Sequence, residues 1–287
     1  MVAEAEENNL DYNTKCERWA RWCTCGLCKQ EYHGVVECAL GWYCWATYLG
    51  RPEEDWNRCN AMAHLGNGLS GAGQQEDALS VQEVELSTLR RIGAEFGGSE
   101  DAILGVQNNL ANTYEKLGRL ESLRMRRDVY LGYVKLLGED DERTLISANN
   151  YAASLIEAER FEEAKSLLLK AIPATQRSLG ESDDLTLKMR WYYAEALCRD
   201  DGTTLDDIRE AETTLEDTAR IARRVLGGAH PLTAGVEFCL RDSRAALRAR
   251  ETPPGSLQER VEYALRASQA VLDARETPLP GSLQESP

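Results

Sequence analysis

The sequence predicts an all-α fold, a helical-repeat solenoid behind a small metal-stabilised N-terminal module. Three observations carry that prediction. A turn motif returns at near-constant spacing, as LGEDDERTL (137–145), LGESDDLTL (179–187) and LGGAHPLTA (226–234). The segments after these turns also align: QNNLANTYEKLGRLE (107–121) falls on ANNYAASLIEAERFE (148–162) at an offset of 41. Finally, seven of the nine cysteines and five of the six tryptophans lie in the first 59 residues, so composition separates that stretch from the rest. A length of 287 residues with 43% hydrophobic side chains is enough to build a packed core.

Taken in order, residues 1–14 are acidic and lack an apolar stretch, so they read as a disordered start rather than a secretory signal. Residues 15–50 form the cysteine-rich module. Repeats follow over 58–250, about four of them. Each copy places two helical stripes around a short break. In the clearest copy the first stripe is Tyr151, Ala152 and Leu155, and the second is Phe161, Ala164, Leu168 and Ala171. Ala152 and Ala164 sit where two helix backbones approach closely, and a larger side chain there would overpack at about 1–3 kcal/mol. Tyr114, Tyr151, Tyr193 and Phe161 are expected in the core. The last copy repeats the spacing as Tyr193, Ala194, Leu197, then Ile208, Ala211, Leu215, with about five extra residues and a helix N-cap near Thr204. The first copy is looser, with Leu65, Gly66, Leu69 and Ala78, and its closing glycine aligns as Gly97. One helical pair cannot bury its apolar stripe, whereas stacked pairs can. Residues 234–250 read as a capping helix. Beyond it, ARETPPGSL (249–257) recurs as ARETPLPGSL from 274, a tandem duplication, so 251–287 is expected to be a flexible tail with a short helix over 258–274.

The period near 42, the NNLA–Y–LGR–E pattern and the closing LG-x-x-H-P-x-T (226–233) resemble the tetratricopeptide repeats of kinesin light chains. The resemblance covers about 60–250. It implies a right-handed superhelix of the tetratricopeptide (TPR) type, whose concave groove binds extended peptides. It also implies that asparagines on the first helix of each repeat bond to the ligand backbone. The matching positions are Asn109, Asn112, Asn149 and Asn150. Trp191–Tyr192 replaces the asparagine pair in the last copy, which makes that end of the groove chemically different. The heptad coiled coil that joins kinesin light chains to the motor has no counterpart here, so only the binding module carries over.

In the N-terminal module, Cys25 and Cys28 have the two-residue separation that sets two thiolates on a tetrahedral zinc. With His33 and Cys38 they spell C-x2-C-x4-H-x4-C, the spacing of a retroviral-type zinc knuckle, although Lys29 and Tyr32 stand where that family has glycines. Cys16-Glu-Arg-Trp19 followed by Cys25-Gly-Leu-Cys28-Lys-Gln-Glu-Tyr32 also resembles the second half of a RING-CH finger, whose first half has no cysteines here to supply it. A MYND-like finger fits less well. All these readings imply a structural Zn2+, worth on the order of 10 kcal/mol to so small a segment. Cys25 and Cys28 lead as ligands, with His33, Cys38, Cys16, Cys23 and Cys44 competing for the other positions. Cys59 reads as packing on the first repeat helix.

The function expected is an adaptor or scaffold that binds protein or peptide segments. The alternative is an E3 ubiquitin ligase-type protein, in which the finger recruits a conjugating enzyme and the repeats recruit substrate. No catalytic constellation is visible in the sequence. The net charge of −15 disfavours a broad nucleic-acid face and favours basic partner segments. The most apolar stretch, Cys38 to Leu49, is too short to span a membrane, so the expected location is cytoplasmic.

Overall fold

A computed structural model describes residues 14, 17, 19–93, 99–200, 202–251 and 261–269. Among the described residues, a 3-10 turn, Ala20–Trp22, and an antiparallel bridge between Thr24 and Glu31 precede the α-helices of the array. These are α1 (Gly34–Tyr48), α2 (Trp56–Gly71), α3 (Gln75–Ile92), α4 (Glu100–Lys116), α5 (Glu121–Leu137), α6 (Glu142–Glu157), α7 (Phe161–Ser178), α8 (Asp184–Arg199), α9 (Leu205–Val225) and α10 (Pro231–Glu251). No strand occurs among the described residues. The chain divides into two compact units, residues 1–196 and 197–287.

In the first unit each helix from α1 to α6 packs on the one that follows it. The repeat turns expected from the sequence are present. Gly138, Gly180 and Gly227 all take positive φ just past a helix end, a conformation that costs a residue with a Cβ about 1–2 kcal/mol. Gly93 takes that position at the end of α3, with φ 73°. The aligned Gly97 lies outside the described residues. Helix starts are set by side chains that accept from exposed amides: Asp55 for α2, Ser99 for α4 and Asp141 for α6. The alanines expected at close approaches, Ala152 and Ala164, are fully buried. In the preceding copy Ala111 and Ser122 hold those places, also buried. Tyr151, Leu155 and Ala164 form one core with Phe161 against it, and Leu110 and Leu86 form another with Tyr114 against it.

The second half of the cysteine-rich stretch expected over 15–50 is the helix α1. Cys38, Gly41, Cys44 and Tyr48 form the buried face of α1, which packs on α2. The approach is close enough that a Cβ on Gly41 would lie 2.9 Å from the His64 carbonyl oxygen, and one on Gly68 would lie 2.8 Å from Cys38 Cα. The cysteine spacing that suggested ligands is here also the spacing of a helix face.

In the second unit α9 packs on α10. Thr204 caps α9 with a reciprocal capping box, its side chain accepting from the Asp207 amide while the Asp207 carboxylate accepts from the Thr204 amide. The five extra residues of this copy divide between a longer turn and an earlier start of α9. His230 Nδ1 accepts from the Leu232 amide, and Pro231 opens α10. Residues 261–269 are helical, inside the helix expected over 258–274.

Candidate functional site, the asparagine-lined groove

The first helices of successive repeats, α2, α4 and α6, line one cleft of about 580 Å³ in the first unit. Asn67, Ser70 and Gly71 come from α2, Asn109, Asn112, Glu115 and Lys116 from α4, and Glu157 from α6. The repeat makes this arrangement: residues one period apart on equivalent helices stack side by side. Asn109 Nδ2 donates to Asn67 Oδ1 at 3.1 Å, and Asn150 Nδ2 donates to Asn108 Oδ1 at 3.5 Å, each pair 42 residues apart. Of the four asparagines expected to face a ligand, Asn109 and Asn112 line the cleft, and Asn150 is half-buried beside it in this ladder. Asn149 is buried, and its Oδ1 has no hydrogen-bond partner among the described residues, so it faces the repeat interior. Asn67 and Asn108 were not singled out from the sequence, although the 42-residue offset from Asn109 and Asn150 points to both.

The floor of the cleft is ionic. Arg126, buried on α5, donates to Glu115 and, at 3.4 Å, to Asn108 Oδ1, so it anchors both the acid and the asparagine ladder. Glu157 lies close to the same carboxylate. Burial, and then the charge of Glu115, push the Glu157 carboxyl above its ordinary value, while Arg126 pulls the other way. Lys116 Nζ is held by Ser70, 3.1 Å from its hydroxyl. The cleft thus presents amide groups along its wall and two neighbouring carboxyls against one guanidinium at its base. Further along, Trp191 and Tyr192 stack at 5.7 Å in place of an asparagine pair, and Tyr192 packs against the Tyr151 core.

The six described metal-ligand candidates do not gather at one point. Cys16 lies outside the described residues. Cys38 packs with Leu65, Leu69 and Ala78, and Cys44 with Tyr48 and Ala61. His33 is the exposed N-cap residue of α1. Cys23 Sγ lies 3.4 Å from His64 Nε2, which also accepts from Trp19 Nε1 at 3.1 Å. Burial raises the Cys23 thiol and lowers the His64 imidazole, so both are held neutral and the pair is no activated nucleophile. Cys25 and Cys28 remain together in one turn, where amides and the Cys28 thiol pull the Cys25 thiol down to about 7. Among the described residues no group of three or more histidines, cysteines or acids is close enough to hold a metal ion. Cys59 is half-buried against the Leu86–Leu110 core, as expected.

Residues 102–177 match the model of the tetratricopeptide repeat family. The fold is that of a TPR-like repeat array. Among solved structures the chain is similar to BtubC (BKLC) from P. vanneervenii, with 16% identity, covering 87% of this chain and 95% of that one at a TM-score of 0.61. It is also similar to "Podosopora anserina putative kinesin light chain nearly identical TPR-like repeats", with 19% identity, covering 79% and 100% at a TM-score of 0.55. A single-substitution variant of those repeats aligns at 19% identity over 77% and 97%, with a TM-score of 0.56. No curated protein sequence matches the chain. Such identities speak to fold alone. The family match lies wholly inside the repeats, and the finger resemblances rest on sequence alone. No helix among the described residues is long and apolar enough to cross a membrane.

Proposed function

We propose that this chain is a protein-interaction scaffold whose asparagine-lined groove binds an extended peptide segment carrying basic side chains. The observation that carries this reading is the cleft shared by α2, α4 and α6, with amide groups on its wall and Glu115 beside Glu157 at its base. An extended strand leaves its own backbone N–H and C=O groups unpaired, and side-chain amides can both donate to and accept from them. A lysine or arginine from the ligand would meet the neighbouring Glu115 and Glu157 carboxyls beside Arg126, with Glu37 and Lys116 also on the lining. Asn109, Asn112 and Asn150 are the residues assigned to the ligand backbone.

Fluorescence anisotropy against labelled peptide libraries of matched length tests this. Lysine- and arginine-containing peptides should bind more tightly than acidic ones. With the best binder, the double variant Asn109→Ala, Asn150→Ala should raise Kd by about tenfold, the equivalent of two net hydrogen bonds. Its melting temperature should stay within a few degrees of the parent. Unchanged affinity would remove these asparagines from the site, and a preference for acidic peptides would overturn the charge assignment.

A further inference from the structure

Glu85 is a buried acid that the asparagine-lined groove does not use. It lies on the inner face of α3, in line with Gln82 and Leu89, and is 4% exposed. Its Oε2 has no hydrogen-bond partner among the described residues. A buried acceptor left without a donor weakens a fold, and such a group in a cavity marks a place for a ligand. Glu85 lines a pocket of about 130 Å³ between α1, α2 and α3. Trp45 comes to that pocket from α1, Met62 from α2, and Val84 and Leu89 from α3. The pocket and the asparagine cleft have no lining residue in common.

The other charged groups of the lining are already engaged. Glu53 pairs with Arg91. Arg58 donates to the Arg51 carbonyl and lies 5.9 Å from the centre of the Trp45 ring. The Cys59 thiol donates to the Glu53 carbonyl at 3.4 Å. Glu85 therefore offers the pocket an acceptor that these neighbours leave open. A cavity of about 150 Å³ with apolar walls holds one benzene molecule, so a ligand of about that size fits here. The apolar walls suit a hydrocarbon body, and the buried carboxyl suits a donor. In a site shielded from water a carboxylate gains more from a cationic donor than from a neutral one. The net charge of −15 also draws cations toward the chain.

We infer that this pocket binds a small primary amine, whose ammonium group donates to Glu85 and whose short hydrocarbon body packs against Trp45, Met62 and Leu89. Burial pushes the Glu85 carboxyl up to about 8, so near neutral pH the empty pocket holds the acid with its proton. On binding, that proton passes to solvent and the ammonium takes its place beside the carboxylate. The site is separate from peptide binding, because its residues lie away from the asparagine ladder.

The experiment uses the full chain with isotope-labelled methionine methyl groups, and isopentylamine as the probe. In an NMR titration at pH 8 the Met62 methyl signal should shift and saturate, while those of Met125 and Met189, outside the pocket, stay in place. Isopentanol, the matched alcohol, should bind about tenfold more weakly or worse. The variant Glu85→Gln should weaken the amine by about tenfold or more, with its far-UV helical signal unchanged. Lowering the pH from 8 to 6 should also weaken the amine by about tenfold or more, because Glu85 then keeps its proton, and the variant should lose that trend. A Met62 signal that does not move, an alcohol that matches the amine, or a Glu85→Gln variant that binds as tightly would each overturn the proposal.

Discussion

Glu85 is a carboxylic acid inside the repeat core. It is 4% exposed, one of its oxygens has no hydrogen-bond partner among the described residues, and it faces a pocket of about 130 Å³ with Cys59 and Met62. Burial pushes its carboxyl up to about 8. The folded value lies above the unfolded one, so its contribution to stability is complete below about pH 4.5 and is lost as pH rises toward 8. Glu85→Gln should therefore change stability little at pH 5 and raise it at pH 8 by on the order of a few kcal/mol, seen as a higher melting temperature. Thermal scans at the two pH values check this. Glu159 is a second strained residue, at φ 58° in the turn where the neighbouring repeats have Gly73 and Gly118. Glu159→Gly should stabilise the chain by about 0.5–1 kcal/mol in urea titrations, because relief of the left-handed strain exceeds the entropy glycine adds to the unfolded state. Glu85 did not stand out in the sequence, because a glutamate on a helical stripe looks the same whether the helix buries it or not, and Glu159 did not because its turn conformation is not written in a single residue type. Asn67 and Asn108 were legible through the repeat offset alone.

Helices α2 to α10 follow the periodic stripes and turn glycines closely, and the cap at Thr204 was readable from its polar neighbours. Helix α1 was not. Its cysteines, glycine and tryptophans drew the reading toward metal, and a helix that is apolar nearly all round offers no polar face to mark its period. What makes α1 part of the array is its close approach to α2. The Cβ in Gly68→Ala would meet the backbone of Cys38 and Glu37, which cannot move without shifting α1. That variant should lose about 1–2 kcal/mol despite alanine's better helix propensity, with hydrogen exchange rising first in α1.

At the scale of the molecule, the acidic charge and the groove act together. Binding of a basic peptide should weaken severalfold between low and high salt, as screening removes the long-range attraction. It should also weaken as pH falls, because the Glu157 carboxyl, raised above its ordinary value, takes up a proton before an ordinary glutamate does. Titrations across salt and pH check both, and an affinity indifferent to either would place the ligand away from Glu115 and Glu157. The sequence by itself determined the repeat architecture and its period, because periodicity and turn chemistry are local and recur along the chain. Tertiary structure decided which asparagines face the cleft, that Arg126 and Glu157 complete its floor, and that Cys38 and Cys44 pack while Cys25 and Cys28 stay exposed together. Those outcomes depend on burial and on contacts between residues distant along the chain, which a local pattern does not encode.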